Sequence, residues 1–261
     1  MNAIVFGGFV MGEKKMNKII KRILKIVLVI VVALVIVAVV GFRYLYNNGL
    51  SGQTANSEVK EGQIKVACIG DSITYGHGIS GWEKNNYPAV LGEILGEEYH
   101  VANFGSSGTC VSSNGDQPYT GRATYQESLD YNADILVFML GTNDSKPENW
   151  TDAETFFKQH KALLDTYLKG ENSPKVYIGL CAQAYYIDGV TEGVAEYDIQ
   201  PAVVDEIATL LQEKYAEEDV EIIDVHGLTE QHPEWFEKDG IHPNNDGAKA
   251  IAELVAGEIK K

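Results

Sequence analysis

The 261-residue chain is poor in cysteine, and the patterns of several common kinds of site are missing from it. Its three cysteines lack the spacing of metal ligands, and no metal-ligating cluster or phosphate-binding glycine loop stands out. The G-x-S-x-G pattern of the α/β-hydrolase fold is also absent, which argues against that fold. A buried thiol is the simplest interpretation of Cys68, Cys110 and Cys181, although a Cys110–Cys181 disulfide stays open as an alternative outside the cytoplasm.

Basic residues are scarce after residue 43. The whole chain has 21 basic and 37 acidic side chains, a formal net charge of −16. Residues 1–43 hold seven of the basic side chains and one of the acidic, so the remainder has 14 basic, 36 acidic and a net charge of −22. The strong negative charge of the chain after residue 43 argues against nucleic acid or an anionic membrane surface as a partner, and it favours a neutral substrate.

The one long apolar run lies near the start, at residues 26–42, and contains no charged or polar side chain. With the three residues before it, the run gives about 20 residues or ~30 Å of helix, enough to span a bilayer core. The positive-inside rule then places the basic residues 1–25 in the cytoplasm and the rest outside. We therefore expect a single-pass signal anchor at 26–42, a stalk at 43–63 and an extracytoplasmic domain at 64–261.

The alternative for this front end is a secretory signal that is cleaved, which would release the domain. Against cleavage, the apolar run exceeds the usual ~7–15 residues of a signal peptide, and no clear small-x-small site follows it. An uncleaved anchor, with the membrane as a partner through this helix, is the favoured prediction. Both alternatives export the domain.

Short apolar segments alternate with helical patterns throughout residues 64–261. This alternation predicts one α/β domain, a three-layer α/β/α arrangement around a parallel five-stranded sheet with right-handed crossovers. On the third helix, His160 falls on the apolar face, which indicates a packed core histidine. The predicted strands are Ile64–Ile69, Tyr99–Phe104, Ile135–Leu140, Lys175–Leu180 and Val220–Val225. The predicted helices are Ala89–Leu95, Arg122–Tyr131, one starting at a Thr151 capping box, Ile199–Tyr215 and Asp246–Lys260.

Polar residues or glycine follow the first three predicted strands. Ser72 comes after the first strand, Gly105 after the second and Asn143 after the third. Taken alone, each is an ordinary turn residue. Because the carboxyl ends of parallel strands meet at one edge of a sheet, the three are expected to lie close together.

Asp239 and His242 lie three residues apart, just before the last helix. On a turn, that spacing lets the carboxylate accept a hydrogen bond from the imidazole. A serine nucleophile needs a base to take its proton and an acid to orient that base, so Ser72, His242 and Asp239 are candidate catalytic residues. The backbone N–H groups of Ser72 and Gly105 and the side-chain amide of Asn143 are candidate oxyanion donors.

In this order, Gly70-Asp71-Ser72, Gly105, Gly141-Thr142-Asn143-Asp144 and Asp239-x-x-His242 resemble the four blocks of the GDSL/SGNH hydrolase family. The resemblance implies a flavodoxin-like fold and ester hydrolysis without a cofactor or metal. It also implies the roles of nucleophile, base, orienting acid and oxyanion hole assigned above. Residues 141–150 resemble more narrowly the bacterial members that act as carbohydrate O-acetylesterases.

Other residues near these blocks are candidates for contacting substrate. His77 follows Ser72 closely enough to line the cleft, and several aromatic side chains could stack on sugar rings, although packing is the simpler interpretation of each. The candidate substrate-binding residues are Asp71, Thr74, Trp82, Asp144, Trp150 and Ile241. The further aromatic candidates are Tyr87, Tyr185 and Tyr186.

The sequence thus predicts an outward-facing serine esterase that removes small acyl groups, above all acetyl, from carbohydrate, with no nucleic-acid partner. A lipase, lysophospholipase or thioesterase of the same family is an alternative, and it would require a long apolar groove. A catalytically idle glycan-binding module is an alternative of another class. The joint presence of Ser72, Asn143, Asp239 and His242 counts against it.

Overall fold

The computed structural model describes residues 5–6, 9–10, 13–49, 58–170, 172–187, 189 and 191–261. The chain divides into two compact units, Met1–Gly49 and Leu50–Lys261. In the first unit, strands β1 (Val5–Phe6) and β2 (Phe9–Val10) pair antiparallel, and helix α1 spans Glu13–Gly49.

Within the part of the chain that the structure describes, no helix has both the length and the apolar composition that crossing a membrane requires. This finding does not support the predicted signal anchor at residues 26–42, nor the membrane as a partner through it. The predicted stalk at 43–63 falls partly outside the described residues, at 50–57, and its first seven residues belong to helix α1 instead. Of the predicted basic N-terminus, residues 1–4, 7–8 and 11–12 also lie outside them.

The second unit is built on a five-stranded sheet in which every neighbouring pair is parallel. The strands lie in the spatial order β4-β3-β5-β6-β7. The first strand of the unit, β3, therefore lies inside the sheet, with β4 on one side and β5 and the later strands on the other. That order is the flavodoxin-like one, and the prediction of a parallel five-stranded sheet is confirmed. The strands are β3 (Ile64–Gly70), β4 (Tyr99–Gly105), β5 (Ile135–Met139), β6 (Lys175–Gly179) and β7 (Glu221–Ile223).

The five helices predicted for this unit are all present, with boundaries within two residues or so of those expected. The third one is capped by Asp152 rather than by Thr151, because the Asp152 carboxylate accepts hydrogen bonds from both the N–H and the hydroxyl of Thr155. The helices are α2 (Ser72–Tyr75), α3 (Trp82–Asn85), α4 (Tyr87–Leu95), α5 (Ala123–Asp130), α6 (Ala153–Leu168), α7 (Pro201–Tyr215), α8 (Val225–Thr229) and α9 (Asn245–Ile259). Short 3₁₀ turns cover Tyr119–Gly121, Thr142–Ser145, Glu196–Asp198 and Pro233–Trp235.

The sheet carries a separate hydrophobic cluster on each face. Alternating side chains of β3 point to opposite sides: Ala67 and Ile69 join the cluster that includes α6 and α7, whereas Val66 and Cys68 join the cluster that includes α4 and α9. The three-layer arrangement follows from this alternation. His160 lies fully buried in α6 with its Nδ1 2.9 Å from the Tyr215 hydroxyl, and burial lowers its pKa to about 3. The prediction of a packed core histidine is therefore confirmed.

The carboxyl ends of the central strands are level with one another. Gly70 at the end of β3 pairs with Gly105 of β4 on one side and with Met139 of β5 on the other. Gly105 is also pressed against helix α2, since a Cβ at this position would lie 2.1 Å from the backbone nitrogen of Tyr75. Close backbone packing at this point brings the segment that carries Ser72 against the end of β4.

We predict that Gly105→Ala destabilises the fold by about 3 kcal/mol, because the new methyl group overlaps a backbone atom that cannot rotate away. Gly121→Ala is the matched control, since a Cβ added at Gly121 would meet nothing within 4 Å. Thermal or urea unfolding of both variants measures the difference. Equal stability of the two variants would contradict the close packing at Gly105.

Candidate active site

Ser72 is the first residue of helix α2, directly after strand β3 ends. Its neighbour Asp71 caps the helix, because the Asp71 Oδ1 accepts a hydrogen bond of 2.9 Å from the Ile73 N–H. The helix ends after one turn at Gly76, whose φ of 91° lies in the left-handed region that favours glycine. The Ser72 side chain is thus held in a short, capped turn at the edge of the sheet.

His242 forms hydrogen-bonded contacts through both of its ring nitrogens. Its Nε2 lies 2.9 Å from the Ser72 Oγ, and its Nδ1 lies 2.7 Å from the Asp239 Oδ2. In the neutral tautomer that suits both contacts, Nδ1–H donates to Asp239 and Nε2 accepts from the serine hydroxyl. The structure therefore brings together the three side chains that the sequence analysis assigned to catalysis, across 170 residues of chain.

The Asp239 carboxylate is stabilised in its charged form. Burial alone raises its pKa, but hydrogen bonds from the His242 side chain and from the backbone N–H groups of His242 and Ile241 outweigh burial, and the pKa falls to about 2. Asp239 is therefore ionised at neutral pH. An ionised carboxylate at Nδ1 orients the imidazole and would stabilise the positive charge that develops if the ring takes a proton from serine.

Two of the three predicted oxyanion donors face the serine edge. The Ser72 N–H, at the start of its helix, has no acceptor among the described residues. The Asn143 amide, in the 3₁₀ turn after β5, donates to the Thr109 carbonyl at 3.1 Å, and its nitrogen lies 3.5 Å from the Asp71 Oδ2. The first contact uses one amide hydrogen, and the second is long enough to leave the other weakly held.

The third predicted donor, Gly105, is already engaged: its N–H donates to the Asn103 Oδ1 at 2.9 Å. A Cβ at this position would overlap the Tyr75 backbone, so close packing also accounts for a glycine here. Three residues on, Gly108 has a φ of 76°, and none of the described residues accepts a hydrogen bond from its N–H. The adjacent carbonyl, that of Thr109, binds Asn143, so the loop of Gly108 lies against the Asn143 turn.

Asn103 is a residue of the site that the sequence analysis missed. Its side-chain nitrogen donates to the Thr74 carbonyl at 2.9 Å and to the Asn86 Oδ1 at 3.2 Å, while its oxygen holds the Gly105 N–H. Asn103 thereby ties the helix of Ser72 to the end of β4. A buried asparagine inside an otherwise apolar strand is the signal that could have revealed it.

Four of the six predicted substrate-binding residues are buried: Asp71, Thr74, Asp144 and Ile241. Thr74 is fully buried with its Oγ1 3.4 Å from the Tyr87 hydroxyl, and Ile241 belongs to a hydrophobic cluster, so packing accounts for both side chains. Their contact with substrate stays a prediction. Trp82 and Trp150 are half-buried. The Trp82 Nε1 donates to the Tyr75 carbonyl, and Trp150 packs on Phe156, so packing accounts for part of both surfaces.

Asp144 clamps the loop that follows β4. Its carboxylate accepts hydrogen bonds from the N–H groups of Val111 and Ser112 at 2.9 and 3.0 Å. Burial raises the Asp144 pKa to about 7, an effect that these two hydrogen bonds reduce but do not cancel. Asn149 completes the clamp by donating to the Asn143 carbonyl at 2.8 Å. Asp144 therefore holds the loops around Asn143, and its contact with substrate stays a prediction.

Contacts within the protein account for the remaining aromatic candidates and for the three cysteines. Tyr87 is buried, the Tyr185 hydroxyl donates to the Thr229 carbonyl at 2.6 Å, and the Tyr186 hydroxyl donates to the Gly193 carbonyl at 3.3 Å. All three cysteines, which the structure describes, are free and buried, so Cys110 and Cys181 form no disulfide.

Two aromatic rings flank the imidazole of His242. His77, which is exposed as predicted for a cleft residue, lies with its ring centroid 4.5 Å from that of His242. Tyr197 lies 5.4 Å away in an edge-on arrangement. The sequence analysis did not single out Tyr197, because it comes from a polar loop far along the chain from every motif.

A family model described as "GDSL-like Lipase/Acylhydrolase family" matches residues 68–250. The chain is 38% identical over 217 residues to an acetylxylan esterase of Xylanibacter ruminicola; the match covers 77% of this chain and 44% of that protein. The chain therefore spans less than half the length of this curated relative.

A second curated relative is an arylesterase of Vibrio mimicus, 24% identical over 213 residues, with 78% of this chain and 92% of that protein covered. Among solved structures, a carbohydrate acetylesterase family member from Sinorhizobium meliloti superimposes with a TM-score of 0.63 at 21% identity, covering 76% of this chain and 98% of that one. This likeness shows the shared fold.

Stability should depend on pH through Asp144. Its pKa in the folded state, about 7, lies above the ordinary value of 3.8, so the folded protein loses stability as pH rises from about 4 to about 7. Relative to Asp144→Asn, the wild type should therefore lose about 3 kcal/mol of unfolding free energy between pH 5 and pH 8, at ~1.4 kcal/mol per pKa unit. Asp130→Asn, at an exposed position, controls for the loss of one charge. Parallel stability curves for wild type and Asp144→Asn would contradict the burial of a titrating carboxyl.

Proposed function

The chain belongs to the GDSL-like lipase/acylhydrolase family, and from this premise we propose that it is a serine esterase that removes small acyl groups, above all acetyl, from carbohydrate. The observation that carries the proposal is the continuous hydrogen-bonded chain from the Ser72 hydroxyl through the His242 imidazole to the Asp239 carboxylate. This arrangement suits acyl transfer, because the base already contacts the proton that it must take.

In the proposed mechanism, His242 takes the proton of Ser72 as the serine Oγ attacks the ester carbonyl carbon. The tetrahedral intermediate collapses when the Nε2–H of His242 protonates the departing alcohol oxygen, which leaves an acyl group on Ser72. A water molecule, deprotonated in turn by His242, attacks the acyl carbon, and Ser72 regains its proton as the acid leaves. Asp239 remains ionised throughout, in keeping with its lowered pKa.

We place the oxyanion between the Ser72 N–H, the Asn143 amide and the Gly108 N–H. Gly108 replaces the sequence-based choice of Gly105 because the Gly105 N–H is held by Asn103, whereas the N–H groups of Ser72 and Gly108 have no acceptor among the described residues. Donors that are fixed before the reaction stabilise negative charge without reorganising. The Asp144 clamp keeps the Asn143 turn and the Gly108 loop together.

Support for a sugar substrate comes from the surroundings of the site and from the relatives. The acetylxylan esterase relative is named for an acetylated sugar polymer, and the carbohydrate acetylesterase shares the fold. The rings next to His242, His77 and Tyr197, are polar and aromatic, which suits a sugar better than a long acyl chain. A lipase, lysophospholipase or thioesterase of the same family is the second candidate. The intact Ser72–His242 contact disfavours an idle glycan-binding module.

We also propose that the domain at 64–261 acts outside the cytoplasm. The proposal rests on the sequence: seven basic residues and one acidic residue lie within residues 1–43, around a long apolar run. An epitope tag placed after Lys261 should then appear in the medium, or be degraded when protease is added to intact cells. A tag that stays protected until the cells are lysed would contradict export.

The full chain should hydrolyse p-nitrophenyl acetate and lose activity as the acyl chain lengthens to octanoate. Ser72→Ala and His242→Ala should each lower kcat by roughly 10⁴-fold or more, because either change removes the nucleophile or its base. Asn143→Ala should cost about 10²–10³-fold in kcat, the usual loss for one oxyanion donor. Steady-state kinetics with circular dichroism as a folding control measure these effects.

Two results would reject parts of the proposal. Equal rates for wild type and Ser72→Ala would eliminate the serine mechanism. A preference for octanoate over acetate would reject the acetylesterase and favour the lipase alternative.

A further inference from the structure

Tyr197 lies beside the proposed base and yet is half open to solvent. Its ring centroid is 5.4 Å from that of His242 at an interplanar angle of 76°, and 51% of its surface is exposed. A tyrosine that only packed the base in place would be expected to be covered. A ring that contacts His242 and keeps an open face is available to contact a ligand.

The backbone at Tyr197 is held in a conformation that bulky residues rarely adopt. Tyr197 and Asp198 have φ angles of 56° and 60°, in the left-handed region. Such conformations persist where the surroundings over-determine them, and they cluster at functional sites.

The anchors that hold this conformation lie immediately after it. Ile199 is buried in the hydrophobic core, and its carbonyl accepts a hydrogen bond of 2.6 Å from the Ala195 N–H. Gln200 is tied to Ser145 twice: its N–H donates to the Ser145 hydroxyl at 3.2 Å, and its side-chain nitrogen donates to the Ser145 carbonyl at 2.6 Å. Ser145 belongs to the same 3₁₀ turn as Asn143. The two hydrogen bonds therefore fix the loop of Tyr197 directly to the turn that carries Asn143.

The position of Tyr197 identifies which part of an ester it would contact. In acyl transfer the Nε2 of His242 must come within hydrogen-bond reach of the departing alcohol oxygen in order to protonate it. Groups attached to that oxygen therefore lie beside the His242 ring, whereas the acyl group lies toward the oxyanion donors. A ring next to His242 borders the leaving-group side.

We propose that Tyr197 is a specificity-determining residue that stacks on the ring of the leaving alcohol, the sugar being deacylated, with His77 as a second ring beside the same imidazole. The His77 ring lies 4.5 Å from that of His242 and is open to solvent on its other side. Partial burial against its neighbours lowers the pKa of His77, which favours its uncharged form. Aromatic rings at this position suit an uncharged alcohol that presents a broad face, either the C–H face of a pyranose or the plane of a phenol. This inference rests on the proposed serine-esterase function and adds the basis of its alcohol preference.

The test varies the leaving group at constant acyl group. The substrates are ethyl acetate, whose alcohol is too small to stack, phenyl acetate, and a mono-acetylated xylo-oligosaccharide. The central variant is Tyr197→Asn, which removes the ring while asparagine accepts the positive φ more readily than tyrosine, so the fold should be retained. Tyr197→Phe keeps the ring. Tyr186→Ala is the matched control, because this tyrosine contacts Gly193 of the same loop rather than His242.

For Tyr197→Asn we expect a rise in KM that lowers kcat/KM roughly threefold to tenfold on phenyl acetate and on the acetylated oligosaccharide, the effect of losing one aromatic contact. Its kcat/KM on ethyl acetate should stay within about twofold of wild type. Tyr197→Phe and Tyr186→Ala should resemble wild type on all three substrates. The pH profile of kcat should be the same for wild type and Tyr197→Asn, since the stack does not alter the base.

An equal loss of kcat on all three esters, or a shifted pH profile, would overturn the inference and make Tyr197 a residue that positions His242. Unchanged kinetics on all three would overturn it too. Failure of the proposed function gives a different result: a wild type that is inactive on the acetylated oligosaccharide but active on phenyl acetate rejects the sugar substrate, while the comparison of phenyl with ethyl acetate still tests the stack.

Discussion

The arrangement depends on one constraint: the imidazole of His242 must reach Ser72 and Asp239 at the same time. Asp239 and His242 share one turn near the end of the chain, so their contact is local and needs only the spacing of three residues. The contact with Ser72 joins positions 170 residues apart, and it exists only because the sheet brings the first strand and the last loop to the same edge. The parallel order beside β3 therefore packs the sheet and also brings the candidate catalytic side chains to one edge.

Buried polar side chains hold that edge in place. Asn103 fixes the turn of Ser72 to the end of β4, and Asp144 fixes the following loop to the Asn143 turn. Each of these groups is committed to hydrogen-bond partners within the fold, and a buried polar group that loses its partners is costly. Asp144 bears the larger cost, because burial raises its pKa to about 7. Buried polar residues thus hold the candidate site in place, and donors fixed in this way need no reorganisation during a reaction.

The sheet, the five main helices and the Ser72–His242–Asp239 cluster could all be predicted from the sequence. Apolar runs and helical periodicity are set by residues close together in the sequence, so they can be read from it directly. Asp239 and His242 are likewise only three residues apart. Local sequence patterns do not reveal backbone hydrogen bonding or side-chain packing at individual positions. Gly105 was taken for an open donor, yet the structure shows its N–H bound to Asn103. Thr74 and Ile241 were taken for substrate contacts, and packing buries both.

Tyr197 could not be found from the sequence, because its contact with His242 depends on a left-handed backbone that is anchored by other residues. At the front end, the apolar run predicted a membrane anchor that the described residues do not support.

The central claim is that Ser72 is the nucleophile, activated by His242. The most direct measurement is covalent labelling with an alkyl fluorophosphonate, followed by mass spectrometry of the intact chain and of its peptides. The account predicts a single adduct on Ser72 in the wild type, none in Ser72→Ala, and much slower labelling in His242→Ala, whose serine has lost its base. An adduct on another residue, or undiminished labelling of Ser72→Ala, would contradict the account.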